Sequence, residues 1–217
     1  MTTVGISTVG AVPRTRTAWS RWAGISGIVF GPVLAASVLM TAGMPQAKNA
    51  AKVQAWDIKH TGLLNGSVVA TFAAVVIGLY FLTWLHSRLV GKDGGWMGTM
   101  YVVGAVVFAM SGAVTAGINE AQATDAKHLT TGSLQLLTSL SQNFTYPMTC
   151  IGTALLYLAV GYLIRRSGLL PGWLAWVSWA FAFFSATFFL GFVAMFGSAL
   201  FAIVVGAILT TRQPVES

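Results

Sequence analysis

The sequence predicts an all-α, polytopic membrane protein: a helical bundle of about six transmembrane helices with both termini in the cytoplasm. Of its 217 residues, 56% are hydrophobic and only 8% are charged. Soluble domains carry about 25% charged residues, and a soluble globule could not hide so much apolar surface from water. The apolar residues also fall in runs of about 20, the length that crosses a hydrocarbon core of ~30 Å.

Six spans follow from these runs. The uncharged stretch 173–211 would reach nearly ~60 Å as one helix, so it must hold two spans, with Gly191 as the expected turn. Pro147 and Pro171 each suit the first turn of a helix, where a missing amide hydrogen costs little. The predicted spans are 22–42, 62–86, 96–117, 143–164, 171–190 and 192–211.

The spans form one predicted transmembrane domain, 21–212, between a flexible cytoplasmic tail, 1–20, and a short tail, 213–217. Two polar connections have helical features. Residues 44–60 predict a short amphipathic helix on the outer surface. Residues 134–142 fit either an interfacial turn or the first part of the fourth helix.

Basic residues and tryptophans predict the orientation. With the N-terminus inside, eight Lys and Arg residues face the cytoplasm and four face outward, as the positive-inside rule requires. Tryptophans prefer the headgroup level, and most of them fall at the predicted cytoplasmic ends. We therefore expect a multi-pass protein of the bacterial plasma membrane.

Small residues recur every four positions in the first two spans. Such stripes let helix backbones approach closely inside lipid. The predicted packing positions are Gly27, Gly31, Ala70, Ala74 and Gly78.

No Asp, Glu, Lys or Arg lies deep in a predicted span, which argues against a proton-coupled carrier, a pump or a voltage sensor. Uncharged polar residues gather instead toward the outer ends. Most would hydrogen-bond to the backbone or across helices, but together they could line a pocket open to the outside. The candidate pocket residues are Asn65, Thr71, Asn143, Tyr146 and Thr149.

The sequence contains no recognisable catalytic motif, and we predict no catalytic residue, cofactor site or metal site. His60 and His86 lie at opposite ends of one span, some ~39 Å apart, so they cannot share a haem. A mixed outer metal cluster is the less favoured alternative to solvated loop residues. Its ligands would be drawn from His60, His128, Asp57, Glu120 and Asp125.

Several segments resemble a broad group of small, uncharacterised six-helix integral membrane proteins of actinobacterial type. They are Arg21 to Phe30, the outer helix around Ala51 to Ile58, Phe81 to Leu89, and Arg165 with Leu169 to Trp176. The resemblance covers most of residues 20–212 and implies a fold. It implies no activity and no catalytic residue.

Three functions remain open at this point. The first is a non-enzymatic protein that acts through a membrane-protein partner or as a homo-oligomer. The second is a passive transporter or small-molecule binder that uses the outer pocket. The third, a membrane enzyme on lipid or quinone, lacks a titratable group inside the spans. The expected surroundings are the lipid bilayer, and no basic face suggests nucleic acid.

Overall fold

The computed structural model describes residues 18–90, 95–125, 127–187 and 191–211, and these form helices joined by short connections. The predicted tails lie outside the described residues except for 18–20. Residues 188–190, at the end of the fifth predicted span, also lie outside them, and Gly191, the expected turn, is the first residue of α8. The helices are α1 (Ala18–Thr41), α2 (Ala50–Lys59), α3 (Thr61–Leu89), α4 (Gly95–Asp125), α5 (Thr131–Leu140), α6 (Tyr146–Ser167), α7 (Trp173–Ala186) and α8 (Gly191–Thr211). A five-residue π turn, Ser141–Thr145, joins α5 to α6.

Among the described residues, five helical segments are long and apolar enough to cross a membrane: α1, α3, α4, the continuous unit α5–π–α6, and α8. The all-α membrane fold predicted from composition is confirmed. The remaining predicted span corresponds to α7, which has 14 residues in the described part of the chain. At ~1.5 Å per residue α7 extends over ~21 Å, less than the hydrocarbon core.

The long helices form a closed ring. Each packs along two neighbours in the order α1, α3, α4, α6, α7, α8 and back to α1. The start of α1 meets the end of α8, because a side chain at Gly24 would collide with Thr210. The start of α1 and the end of α8 therefore lie at one end of the ring, which we call the terminal end. Helices α2 and α5 lie at the other end, called here the α2 end.

The fourth long helix begins earlier than the prediction of 143. It runs continuously from Thr131 to Ser167 through the π turn, so residues 134–142 are its first part. Pro147 explains the irregularity, because proline has no amide hydrogen and its ring clashes with the carbonyl four residues earlier. The wider turn just before it accommodates both effects, and the amide of Tyr146 bonds to the carbonyl of Ser141, five residues back.

Small residues on α1 and α3 receive aromatic rings from the opposite helix. A Cβ at Gly27 would stand 2.6 Å from the ring of Phe81. The small residues of α1 also contact a second helix, since Gly31 faces the carbonyl of Ala199 in α8. Of the other predicted packing positions, Ala74 is buried and Ala70 is half-buried.

Two glycines bring the backbones of α4 and α6 close together. A Cβ at Gly104 would stand 2.5 Å from the amide nitrogen of Leu156, and one at Gly152 would stand 2.7 Å from that of Phe108. Only glycine allows this spacing at both positions. This contact fixes the wall formed by α4 and α6, which together with the π turn carries most of the polar residues described next.

Candidate functional site: a polar cavity at the α2 end

A partly open cavity of about 400 Å³ lies inside the ring toward the α2 end. Ligand sites in proteins usually have volumes of ~300–1,000 Å³, so it is large enough for a small molecule. It extends well into the bundle, because Thr71 lies ten residues, or ~15 Å, beyond the start of α3. Its wall is formed by α1, α3, α4, the π turn and the start of α6, with one residue of α8, Met195.

Three of the five candidate pocket residues line this cavity: Thr71, Tyr146 and Thr149. The structure brings them together from α3 and α6. The other two, Asn65 and Asn143, are exposed and do not contribute to its wall. Asn143 instead donates to the hydroxyl of Ser139, one turn earlier in the same helical unit.

The cavity has polar residues beyond the candidate set. Ser111, Thr115 and Thr145 stand out in the sequence as polar positions inside apolar runs. Others carry weaker signals: two hydroxyls near the end of α1, one amide in the extension of α4, and two residues of the π turn. These are Ser37, Thr41, Asn119, Ser141 and Gln142.

Most of the cavity hydroxyls donate their proton to a helix carbonyl. The Oγ of Ser37 lies 2.8 Å from the carbonyl of Leu34, and the Oγ of Ser111 lies 2.8 Å from that of Phe108. Thr115 makes the corresponding bond at 2.9 Å. A carbonyl can only accept, so in each pair the hydroxyl must donate.

Thr149 links α6 to α4 across the cavity wall. Its hydroxyl lies 2.9 Å from the Oγ of Ser111 and 2.9 Å from the carbonyl of Thr145. Thr149 and Ser111 are both buried, so this contact is shielded from water. The hydroxyls are thereby held in fixed positions on a rigid part of the ring.

One glutamine side chain ties the π turn to the connection between α1 and α2. The Nε2 of Gln142 donates to the carbonyl of Pro45 at 3.3 Å, and its Oε1 accepts from the amide of Ala47 at 3.2 Å. Gln142 also lines the cavity, as do Thr41 and Ala42. The two hydrogen bonds of Gln142 therefore hold the connecting segment 42–49 next to the cavity.

An aromatic cluster closes the cavity toward the terminal end. Phe108 forms part of its wall and also borders a second cavity of only about 30 Å³ deeper in the ring. Phe30 packs edge-on against Phe108 with ring centroids 6.5 Å apart, and Tyr157 packs against Phe201 at 5.2 Å. The larger cavity therefore has a wall that mixes polar and apolar side chains, and an apolar floor.

Comparison with protein-family models, curated proteins and solved structures finds no match to this chain. The resemblance to small six-helix membrane proteins of actinobacterial type therefore stays a prediction.

A second polar feature lies where α2 packs on the bundle. Asp57 is completely buried on the face of α2 that also buries Ala50 and Val53. Neither of its carboxylate oxygens has a partner in the described part of the chain, and neither does the Oε1 of the buried Gln122. Burial raises the pKa of Asp57 to about 6 from its usual value of 3.8.

The alternative of an outer metal cluster gains no support. Within the described ranges, no three His, Cys, Asp or Glu side chains come together as metal ligands. The ring of His60 stacks on Trp56, with centroids 4.6 Å apart, and its Nδ1 lies 2.9 Å from the carbonyl of the same residue. His60 thus has local partners on its own helical turn.

Proposed function

We propose that this multi-pass membrane protein binds a small uncharged molecule in the cavity at the α2 end. The observation that carries the proposal is the cavity itself: about 400 Å³, lined by polar groups from several helices among apolar side chains, with an apolar floor. Concave sites that combine apolar walls with a few fixed polar groups are the usual form of small-molecule sites. Binding from the outer leaflet follows if the orientation expected from the basic residues holds.

The electrostatics of the wall support an uncharged ligand. None of the described residues that line the cavity carries a charge. An ion taken out of water would need an opposite charge or several coordinating groups to offset its lost hydration. A neutral molecule needs only hydrogen bonds for its polar atoms and apolar contact for the rest.

The cavity-filling variant Thr71→Phe tests the proposal. The protein, reconstituted in phosphatidylcholine nanodiscs, would be screened against a library of uncharged amphipathic compounds by thermal shift and ligand-observed NMR. The matched control is Val69→Phe on the same helix, because Val69 is 70% exposed on the outside of the ring. Compounds that bind the wild type and Val69→Phe, and lose binding in Thr71→Phe, support the site. A library without such a compound contradicts it.

The hypothesis of a partner protein or a homo-oligomer stays a prediction. Large apolar side chains are exposed all around the bundle, among them Val69, Val76, Leu200 and Phe183. A surface of this kind is what lipid contact requires of any membrane helix, so it does not single out one face for a partner.

A further inference from the structure

We propose that the ligand of this cavity is a neutral amphiphile whose polar end donates hydrogen bonds, such as an alcohol or a diol with an apolar tail. This inference rests on the proposed function and names the chemical class that the site selects. It follows from the hydrogen-bonding state of the wall, taken one group at a time.

A serine or threonine hydroxyl has one proton and two acceptor lone pairs. In this wall the protons of Ser37, Ser111 and Thr115 are already donated to helix carbonyls at 2.8–2.9 Å. Thr145 makes the same kind of bond at 2.7 Å to the carbonyl of Ser141. What these oxygens can still offer to a ligand is lone pairs.

The hydroxyl of Thr149 has the same limitation. Its two neighbours are the carbonyl of Thr145 and the Oγ of Ser111, and the proton of Ser111 is directed to Phe108. The proton of Thr149 therefore goes to one of its two neighbours and is not available to a ligand. Thr145 in the π turn, Ser111 in α4 and Thr149 in α6 are therefore neighbouring acceptors, mostly buried in the cavity wall.

Two amides of the wall each have one N–H engaged in the protein, and the second N–H of each amide stays available as a donor. The Nδ2 of Asn119 donates to the hydroxyl of Ser67 at 3.1 Å, and the Nε2 of Gln142 donates to Pro45. Thr71 is different, since its hydroxyl has no hydrogen-bond partner in the described part of the chain and can donate or accept. Five hydroxyls of the wall can therefore only accept, whereas Thr71 and the two amides can still donate. Acceptors outnumber donors among these groups, and their complement is a ligand with O–H or N–H groups.

The uncharged wall and the apolar floor define the rest of the ligand. A cationic donor would meet no carboxylate among the lining residues, and an anion would meet few available donors. Beside the hydroxyls stand Leu34, Val75 and Phe108, which suit an alkyl or aryl portion. The ligand is thus polar at one end, apolar at the other and neutral throughout.

The test compares four probes that share an octyl chain, in phosphatidylcholine nanodiscs with empty nanodiscs subtracted. They are 3-octyloxypropane-1,2-diol, its dimethyl ether, octylammonium and octanoate. We expect the diol to bind at least tenfold more tightly than the ether, the difference that two net hydrogen bonds produce. Thr149→Val should weaken the diol about fivefold and leave the ether unchanged. Thr210→Val, whose hydroxyl bonds to Gly206 near the terminal end, is the matched control and should change neither.

Each other outcome has a definite meaning. Equal or tighter binding of the ether overturns the donor-ligand proposal and leaves the proposed function standing. Preference for octylammonium or octanoate overturns the neutral class. If all four probes bind the wild type no better than Thr71→Phe, the donor-ligand proposal fails, and the library screen then decides separately whether the cavity binds any uncharged molecule.

Discussion

The ring of Phe30 lies directly against Gly78, so that a Cβ added at position 78 would stand 2.6 Å from the Cε2 of Phe30. Phe81 and Gly27 repeat the arrangement in the opposite sense between the same two helices. Each aromatic ring fills the space that a glycine leaves on the facing helix. The pair α1–α3 is thus locked by two reciprocal contacts, and Phe30 extends from them to Phe108 in the cavity floor.

Gly78→Leu should separate α1 from α3 and destabilise the bundle. A leucine side chain cannot share the space with a buried aromatic ring, and overpacking of this kind costs about 1–3 kcal/mol or more. We expect a clear fall in the melting temperature in detergent. Gly62→Leu on the same helix is the control, since a side chain there meets nothing within 4 Å. Equal melting temperatures of the two variants would show that the Phe30–Gly78 contact does not matter for stability.

The raised pKa of Asp57 predicts that the free energy of unfolding depends on pH. Its pKa in the folded protein is about 6, above the usual 3.8, so the folded state holds the proton more tightly than the unfolded state does. The stabilisation is therefore fully present below about pH 4 and is lost as the pH rises through about 6. The melting temperature should fall over this interval and then level off.

Asp57→Asn should remove that part of the pH dependence, because an amide does not ionise. Above pH 7 the variant should be as stable as the wild type or more so, by up to about 2 kcal/mol. Asp125→Asn, at an exposed position at the end of α4, is the control and should keep the wild-type profile. A profile unchanged by Asp57→Asn would rule out the buried carboxyl as its cause.

Gln142→Ala should release the connecting segment 42–49. The amide of Ala47 and the carbonyl of Pro45 both lose their side-chain partner, and local opening becomes easier. We expect faster hydrogen exchange at Ala47 and its neighbours, measured by mass spectrometry. Asn143→Ala, one residue along and bonded only within its own helical unit at Ser139, should leave the exchange of 42–49 unchanged. If both variants behave alike, Gln142 does not hold the segment.

Cysteine labelling can determine the orientation. Cys150→Ala removes the only cysteine, which is buried, and provides a background for single cysteines. Lys52→Cys at the α2 end should react with a membrane-impermeant maleimide in intact cells, whereas Arg166→Cys should react only after lysis. The reverse pattern would place the termini outside and contradict the positive-inside assignment.

Composition and periodicity predict the long helices, because a chain in lipid must make all its backbone hydrogen bonds internally, as a helix does. Apolar runs long enough to cross the bilayer are the direct sign of such helices. Helix ends are less predictable. Residues of α4 beyond 117 are polar enough to suggest a loop, yet Asn119 and Gln122 remain helical because they hydrogen-bond to Ser67 and to Thr138 of α5. Those partners lie 52 and 16 residues away, and no local pattern contains them.

The residues that line the cavity could also be predicted only in part. Thr71, Tyr146 and Thr149 stand out as polar residues inside apolar runs, whereas Asn65 stands out equally and is exposed. The difference is the angular position of each residue on its helix relative to the ring. That angle depends on which neighbours each helix packs against, and for α6 it depends also on the π turn. Ser37 and Thr41 enter the cavity for the same reason, since α1 lies beside α3.

The π turn at Ser141–Thr145 inserts one residue more than a regular helical turn contains, and each residue rotates a helix by about 100°. The face of α5 that meets α2 and the face of α6 that borders the cavity are therefore out of phase by that angle. Deleting a single residue here would rotate Thr149 away from Ser111 while every flanking sequence stayed the same. The position of the polar groups in the cavity wall thus depends on one unit of chain length as much as on the chemistry of any side chain.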